Sequence, residues 1–313
     1  MSVAAEASSA WLFPGQGAQK VGMGRDLYEA YPAARSVFDR ADAALDRPLS
    51  RIIFEGPEEE LRQTANAQPA ILVMSLATLE AGRKITPQLQ RVPAFVAGHS
   101  LGEYTALVAA RALTLDDGIR LVQERGRLMQ EEGQSNPGTM SALLGLGEEE
   151  VEGVCRETGA EICNINAEKQ IVIGGTRSSV ARAMDLAKAR GARRAIPLRV
   201  SGAFHSSLMA PVAKALIPAL DGIALSEPDI PLVANVSAEP IRSVESVREE
   251  LERQVCTAVR WRHSIEFMVA HGVRQFMEIG PGTVLTGLAK SIAGDVKLTV
   301  INFSDAQSLE EQR

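Results

Sequence analysis

Short apolar runs alternate with longer amphipathic segments through most of the chain, the pattern of an α/β protein whose buried strands are joined by helices. Residues 11–13, 92–96, 231–236, 275–279 and 297–303 read as strands, and 68–80 as a long apolar helix. Residues 103–110, 117–132, 261–271 and 284–292 carry helical spacing. The polar stretch 305–313 predicts a frayed end.

The pattern changes in the middle. A strand at 139–146 and a helix at 148–158 are followed by strands at 161–166 and 170–174. A helix at 178–189 and a strand at 194–200 complete the series. The order βαββαβ is that of a ferredoxin-like unit. Residues 136–199 are therefore predicted to form a small ferredoxin-like subdomain, opened by Asn136-Pro137-Gly138, inside a larger domain made of 1–135 and 200–313. A cleft between two such units is a common ligand site.

Gly98-His99-Ser100-Leu101-Gly102 joins the 92–96 strand to the following helix, with a serine at the apex. Its glycines permit a sharp turn and close helix–strand packing, which exposes the serine oxygen at a helix N-terminus. Unpaired N–H groups and the helix dipole favour negative charge there, as acyl transfer requires. The alternative is an ordinary βα turn with a surface serine.

A serine hydroxyl needs a base to become a nucleophile. The chain has four histidines. His99 adjoins the serine, and neighbours on a tight turn point apart; His263 and His271 fall on an amphipathic helix and read as surface or packing residues. His205, in the loop just beyond the small subdomain, is the candidate base, against the alternative of a satisfied structural histidine. Asp116, Asp117 and Asp185 lie between Ser100 and His205 without a convincing strand-end context, so a backbone carbonyl can take the place of a triad acid.

On a wheel at about 100° per residue, Ile119, Leu121, Val122, Gly126, Leu128 and Met129 share one broad half, with Arg125 in its middle. An inward arginine needs a partner, because burying its charge alone costs several kcal/mol. That partner is either an internal carboxylate or one that arrives with a substrate, which the guanidinium fork can grip bidentately. The loop Pro14-Gly15-Gln16-Gly17 follows the first strand and can aim backbone N–H groups into a cleft, where with the Leu101 N–H it would form an oxyanion hole. No Gly-Lys-Ser/Thr follows, so it is not a phosphate-binding P-loop.

Composition narrows the setting. With 313 residues, 45% hydrophobic and 23% charged, the chain has an ordinary globular composition. A net charge of −6 argues against broad nucleic-acid binding, and no apolar run approaches a membrane span. Residues 1–10 have no basic segment and no long apolar stretch, so no signal peptide is expected. Cys155, Cys163 and Cys256 are odd in number without metal-ligand spacing, which fits a reducing cytoplasm.

Together, Phe13-Pro14-Gly15-Gln16-Gly17-Ala18-Gln19, Gly98-His99-Ser100-Leu101-Gly102-Glu103-Tyr104, Arg125-Gly126, Gly202-Ala203-Phe204-His205-Ser206 and Glu278-Ile279-Gly280-Pro281-Gly282, in this order, resemble the malonyl-CoA:acyl carrier protein transacylase family. The resemblance runs from about Leu12 to Phe303 and extends to the acyltransferase domains of polyketide synthases. It implies an α/β-hydrolase-like core with a ferredoxin-like insertion, Ser100 as nucleophile, His205 as base and Arg125 as the malonyl carboxylate ligand. It implies an oxyanion hole from the Gln16 and Leu101 N–H groups, and a His-orienting carbonyl from Arg260, before Trp261. His99, Asn164 and Asn166 would line the site. Phe204 would crowd an α-substituent and favour malonyl over methylmalonyl. The implied substrates are malonyl-CoA and holo acyl carrier protein, met as a transient partner, with no metal or cofactor; a cytoplasmic monomer is expected. A serine acyl-thioesterase on the same scaffold is the alternative. Lys188, Arg190, Arg193 and Arg194 offer a basic patch for the acidic carrier, or a merely solvated helix end.

Overall fold

The computed structural model describes residues 8–313. The leader expectation for residues 1–10 therefore falls mostly outside the described range.

β1 (Ser8–Phe13), β2 (Phe95–Gly98), β7 (Leu232–Val233), β8 (Pro240–Ile241), β9 (Val273–Ile279) and β10 (Thr299–Phe303) form a six-stranded sheet in the order β10-β9-β1-β2-β7-β8. Its pairings are parallel except for β7 with β8. Helices cover both faces, so the strands are apolar on both sides rather than alternating with polar residues. Trp11 and Phe13 join the core under the helices Thr64–Ile85, Leu101–Ala109 and Leu115–Ser135, while Ala10 and Leu12 face Trp261, Ile265 and Leu288 on the other side. The helix Thr64–Ile85 is buried around nearly its whole circumference, which explains its almost continuous apolar sequence.

β3 (Gly138–Leu144), β4 (Glu161–Ala167), β5 (Gln170–Thr176) and β6 (Arg194–Pro197) form a second, antiparallel sheet in the order β4-β5-β3-β6. Its helices Glu148–Thr158 and Arg177–Ala189 bury Val151, Val154, Val180 and Ala183 against Leu143, Ile171 and Ile173.

Several elements differ from the sequence expectation. The strand expected at 92–96 begins only at Phe95, and Val92 is 77% exposed on the approach to it. The strand expected at 231–236 is limited to Leu232–Val233, because the chain turns back: Ala234 N–H donates to the Glu239 carbonyl and Ala238 N–H to that of Ala234. Residues 305–313 are not frayed. Asp305 caps the helix Ala306–Glu310, Leu309 is fully buried, and the Tyr31 hydroxyl donates to Glu310 at 2.8 Å. Among the described residues no helix is long and apolar enough to cross a membrane.

Candidate active site

Parallel strands deliver their following loops to one edge of the sheet. The register pairs Phe13 with Gly98, so the loop Pro14–Gln19 emerges beside the Ser100 turn. The fit is tight: a Cβ at Gly98 would strike the Gly102 backbone, and one at Gly102 would strike Phe13. Ser100 therefore sits at a sharp apex with φ 53 and ψ −104, a conformation that non-glycine residues adopt at a cost of order 1–3 kcal/mol. Asn235 holds that apex. Its Oδ1 accepts the Ser100 N–H at 2.7 Å, and its Nδ2 donates to the Gly98 carbonyl at 2.7 Å.

His205, also left-handed at φ 62 and only 4% exposed, places Nε2 2.7 Å from Ser100 Oγ. Its Nδ1 faces two carbonyls, Gln254 at 2.8 Å and Thr257 at 3.2 Å. Carbonyls only accept, so these contacts assign the ring proton to Nδ1 and leave the Nε2 lone pair for the serine hydroxyl. Burial, together with the Arg125 charge, pushes the His205 pKa down to about 3, which keeps the ring neutral and ready to receive a proton.

The carbonyl expected to orient this histidine was that of Arg260, and this is corrected. Arg260 precedes the helix Trp261–Ala270, and its carbonyl accepts the Ser264 N–H at 3.0 Å in the first helical turn. The end of the helix Val244–Gln254 passes His205 instead, and the His205 N–H donates to Val255 there.

Arg125 is 1% exposed, yet no internal carboxylate within ion-pair distance holds it among the described residues. Its Nη1 donates to Gln68 Oε1 at 2.8 Å, and its Nη2 to Gln254 Oε1 at 2.9 Å and Ser100 Oγ at 3.1 Å. The guanidinium lies over the Tyr104 ring, 5.2 Å from its centroid. Ser100 Oγ is thus bonded to the base and to the buried cation at once.

The supporting residues escaped the sequence reading. Glu103 is fully buried; Oε1 accepts from Asn235 N and Nδ2 at 2.8 and 3.0 Å, and Oε2 from Gln254 Nε2 at 2.7 Å. Gln254 Nε2 also donates to the Ser100 carbonyl at 2.8 Å. Burial and the neighbouring Glu250 push the Glu103 carboxyl well above the usual carboxylate range. Gln68 had a signal in the sequence, as a lone amide in an apolar helix. Gln254 had none, because it follows the polar run Glu252-Arg253 at the end of a charged helix.

Ser100, His205 and Arg125 line a cleft of about 530 Å³. Gln16, Leu101, His99, Asn164, Asn166 and Phe204 all border it. His99 Nε2 meets Asn166 Oδ1 at 2.8 Å, which ties the serine turn to β4. Among the described residues neither the Gln16 nor the Leu101 N–H has a protein acceptor. His263 pairs with Glu148 at 3.4 Å and His271 Nδ1 meets the Phe267 carbonyl at 2.8 Å, both away from the cleft. In the basic patch, Arg190 pairs with Glu157 and Lys188 with Asp185, while Arg193 and Arg194 are exposed. None of the four borders the cleft.

Residues 10–298 match the model of the acyl transferase domain family. The malonyl CoA-acyl carrier protein transacylase of Bacillus subtilis (strain 168) is 46% identical over 308 residues, covering 96% of this chain and 95% of that protein. The enzyme of the same name from Escherichia coli (strain K12) is 39% identical over 303 residues, covering 96% and 97%. Among solved structures, an acyl-carrier-protein-S-malonyltransferase from Bartonella henselae superposes with a TM-score of 0.92 at 43% identity, covering 97% of this chain and 98% of that one. A malonyl-transacylase in complex with its type II PKS acyl-carrier protein matches with a TM-score of 0.92 at 40% identity, covering 98% and 99%.

Proposed function

The chain belongs to the acyl transferase family, and from that premise we propose how it transfers a malonyl group from malonyl-CoA to the phosphopantetheine thiol of acyl carrier protein. The observation that carries the mechanism is the double engagement of Ser100 Oγ, by His205 Nε2 at 2.7 Å and Arg125 Nη2 at 3.1 Å. His205 takes the hydroxyl proton as Oγ attacks the thioester carbonyl. The Gln16 and Leu101 N–H groups receive the oxyanion, at the start of the helix Leu101–Ala109 where the dipole favours it. The carbon–sulfur bond breaks, the CoA sulfur leaves with the proton from His205, and malonyl remains as a serine ester with its carboxylate on Arg125. In the second half the carrier thiol gives its proton to His205 and its sulfur attacks the ester. Ser100 Oγ leaves and recovers the proton.

The Gln254 carbonyl replaces a triad acid by fixing the Nδ1 proton, so a Ser–His dyad is sufficient. Nucleophile, base and carboxylate ligand all come from one chain. Phe204, 7% exposed at the cleft, crowds the acyl α-carbon and favours malonyl over methylmalonyl. His99, Asn164 and Asn166 line the acyl site from the turn and from β4. We read the parallel sheet with its serine turn as an α/β-hydrolase-like core, residues 1–135 and 200–313. The βαββαβ unit, residues 136–199, is read as a ferredoxin-like subdomain that forms the other wall of the cleft.

Mixing the protein with malonyl-CoA should add one malonyl mass on Ser100, and holo acyl carrier protein should then discharge it. Release of free malonate at the same rate without carrier would make the chain a hydrolase, and absence of any adduct would make it a binding protein.

A further inference from the structure

A buried arginine is ordinarily held by a carboxylate, because an isolated buried charge costs several kcal/mol. Around Arg125 every hydrogen-bonding neighbour is neutral. Gln68 and Gln254 offer amide oxygens and Ser100 a hydroxyl, while Tyr104 offers the face of its ring. Glu103, the acid whose field reaches Arg125, is bonded to Asn235 and Gln254 and is driven toward its neutral form by burial and by Glu250. The guanidinium borders the cleft. One positive charge is left without a counter-charge at the position where the acyl group enters.

Gln68 is the neighbour whose identity decides this. It is fully buried in the helix Thr64–Ile85, and its side-chain contacts are Arg125 Nη1 through Oε1 and Met129 Sδ through Nε2, the latter at 3.2 Å. A glutamate has the same volume and reach, and would close the fork into an internal ion pair. We infer that Gln68 is a specificity-determining residue: its carboxamide fixes one arm of Arg125 without neutralising it, which reserves the charge for a carboxylate on the acyl group. This rests on the malonyl-transfer reading above. The reservation also reaches the chemical step. After burial, the larger cause, the open charge also depresses the basicity of His205, and an arriving carboxylate offsets that second part as the serine proton must move. A neutral acyl group leaves the base weak. Selection for a carboxylate then acts on turnover as well as on binding.

The test uses the full chain as wild type, Gln68→Glu and Gln68→Met, with acylation of Ser100 by malonyl-CoA and by acetyl-CoA followed by rapid quench and intact mass. Wild-type acylation by malonyl-CoA checks the underlying reading separately. Gln68→Glu should lower kcat/KM for malonyl-CoA by about 100-fold while acetyl-CoA changes by less than about 3-fold or improves, because a resident carboxylate now occupies the fork. Gln68→Met, which is neutral and similar in shape, should keep the malonyl-to-acetyl ratio within about 3-fold of wild type, since the charge remains open. An unchanged ratio in Gln68→Glu, or an equal fall for both thioesters, overturns the inference. If Gln68→Glu shows no cooperative thermal unfolding, Gln68→Met decides: loss of the ratio in that variant overturns the inference as well.

Discussion

Arg125→Met removes the charge that the proposed mechanism assigns to the malonyl carboxylate and keeps much of the side-chain volume. Truncating one partner of a buried, hydrogen-bonded charge pair costs about 2–5 kcal/mol, which is roughly 30- to 4,000-fold in kcat/KM. The structure points to the upper part of that range. Arg125 is 1% exposed and fixed on two sides by Gln68 and Gln254, so its fork is already oriented for the carboxylate. One part of the loss is common to all acyl groups: Nη2 also donates to Ser100 Oγ, and a hydrogen bond to a charged group is worth about 1.5–3 kcal/mol. The ratio of malonyl to acetyl transfer removes that shared part, and at the upper end of the range should fall by about 30- to 300-fold. Arg125→Lys keeps a charge but cannot bridge both amides and a carboxylate with a planar fork, and should lie between wild type and methionine. The assay is rapid-quench acylation of Ser100 under kcat/KM conditions with both thioesters. Equal losses for malonyl-CoA and acetyl-CoA would refute the reasoning and reduce Arg125 to a structural residue.

Phe204→Ser opens space at the acyl α-carbon, and should raise methylmalonyl-CoA relative to malonyl-CoA by about 10- to 100-fold, since one methyl group is worth about 1–3 kcal/mol; an unchanged ratio would show that the ring does not select. Glu103→Ala removes the oxygens that accept from Asn235 and Gln254, and should lower kcat for both thioesters by about 10-fold or more through a loosened serine turn. Wild-type kcat in that variant would show that the network does not position the site. Burial lowers the His205 pKa from 6.5 to about 3 in the folded state, so between these values the unfolded chain binds a proton that the native state refuses. The contribution of His205 to stability is therefore fully present above 6.5 and falls by about 1.4 kcal/mol per pH unit as the medium is acidified toward 3. Denaturant titrations of wild type and His205→Asn should diverge over that window, and parallel pH dependences would contradict the burial argument.

Local signals carried the βα architecture, the antiparallel sheet in the middle of the chain and the Gly98–Gly102 turn. Each is written in contiguous residues: apolar runs of strand length, helical spacing, and glycines where the backbones of Phe13, Gly98 and Gly102 nearly touch. Arg125 on an apolar helix face was legible for the same reason, as a charge at odds with its neighbours. Local signals failed where the partner is distant in the chain. Asp305 to Arg313 look polar and loose, yet Tyr31 and Asp26, far away in sequence, bind that segment. The Arg260 carbonyl was expected at His205, but such a carbonyl is chosen by where a helix ends in space, and the end of Val244–Gln254 passes the imidazole. By itself the sequence determined which side chains can act, a serine on a turn, a histidine in a loop and an inward arginine. Tertiary structure alone decided that they meet, with Oγ 2.7 Å from the base and 3.1 Å from the cation. It also decided that amides rather than a carboxylate hold Arg125, because the occupant of that space comes from the helices Thr64–Ile85 and Val244–Gln254, both distant in the chain from the arginine they enclose.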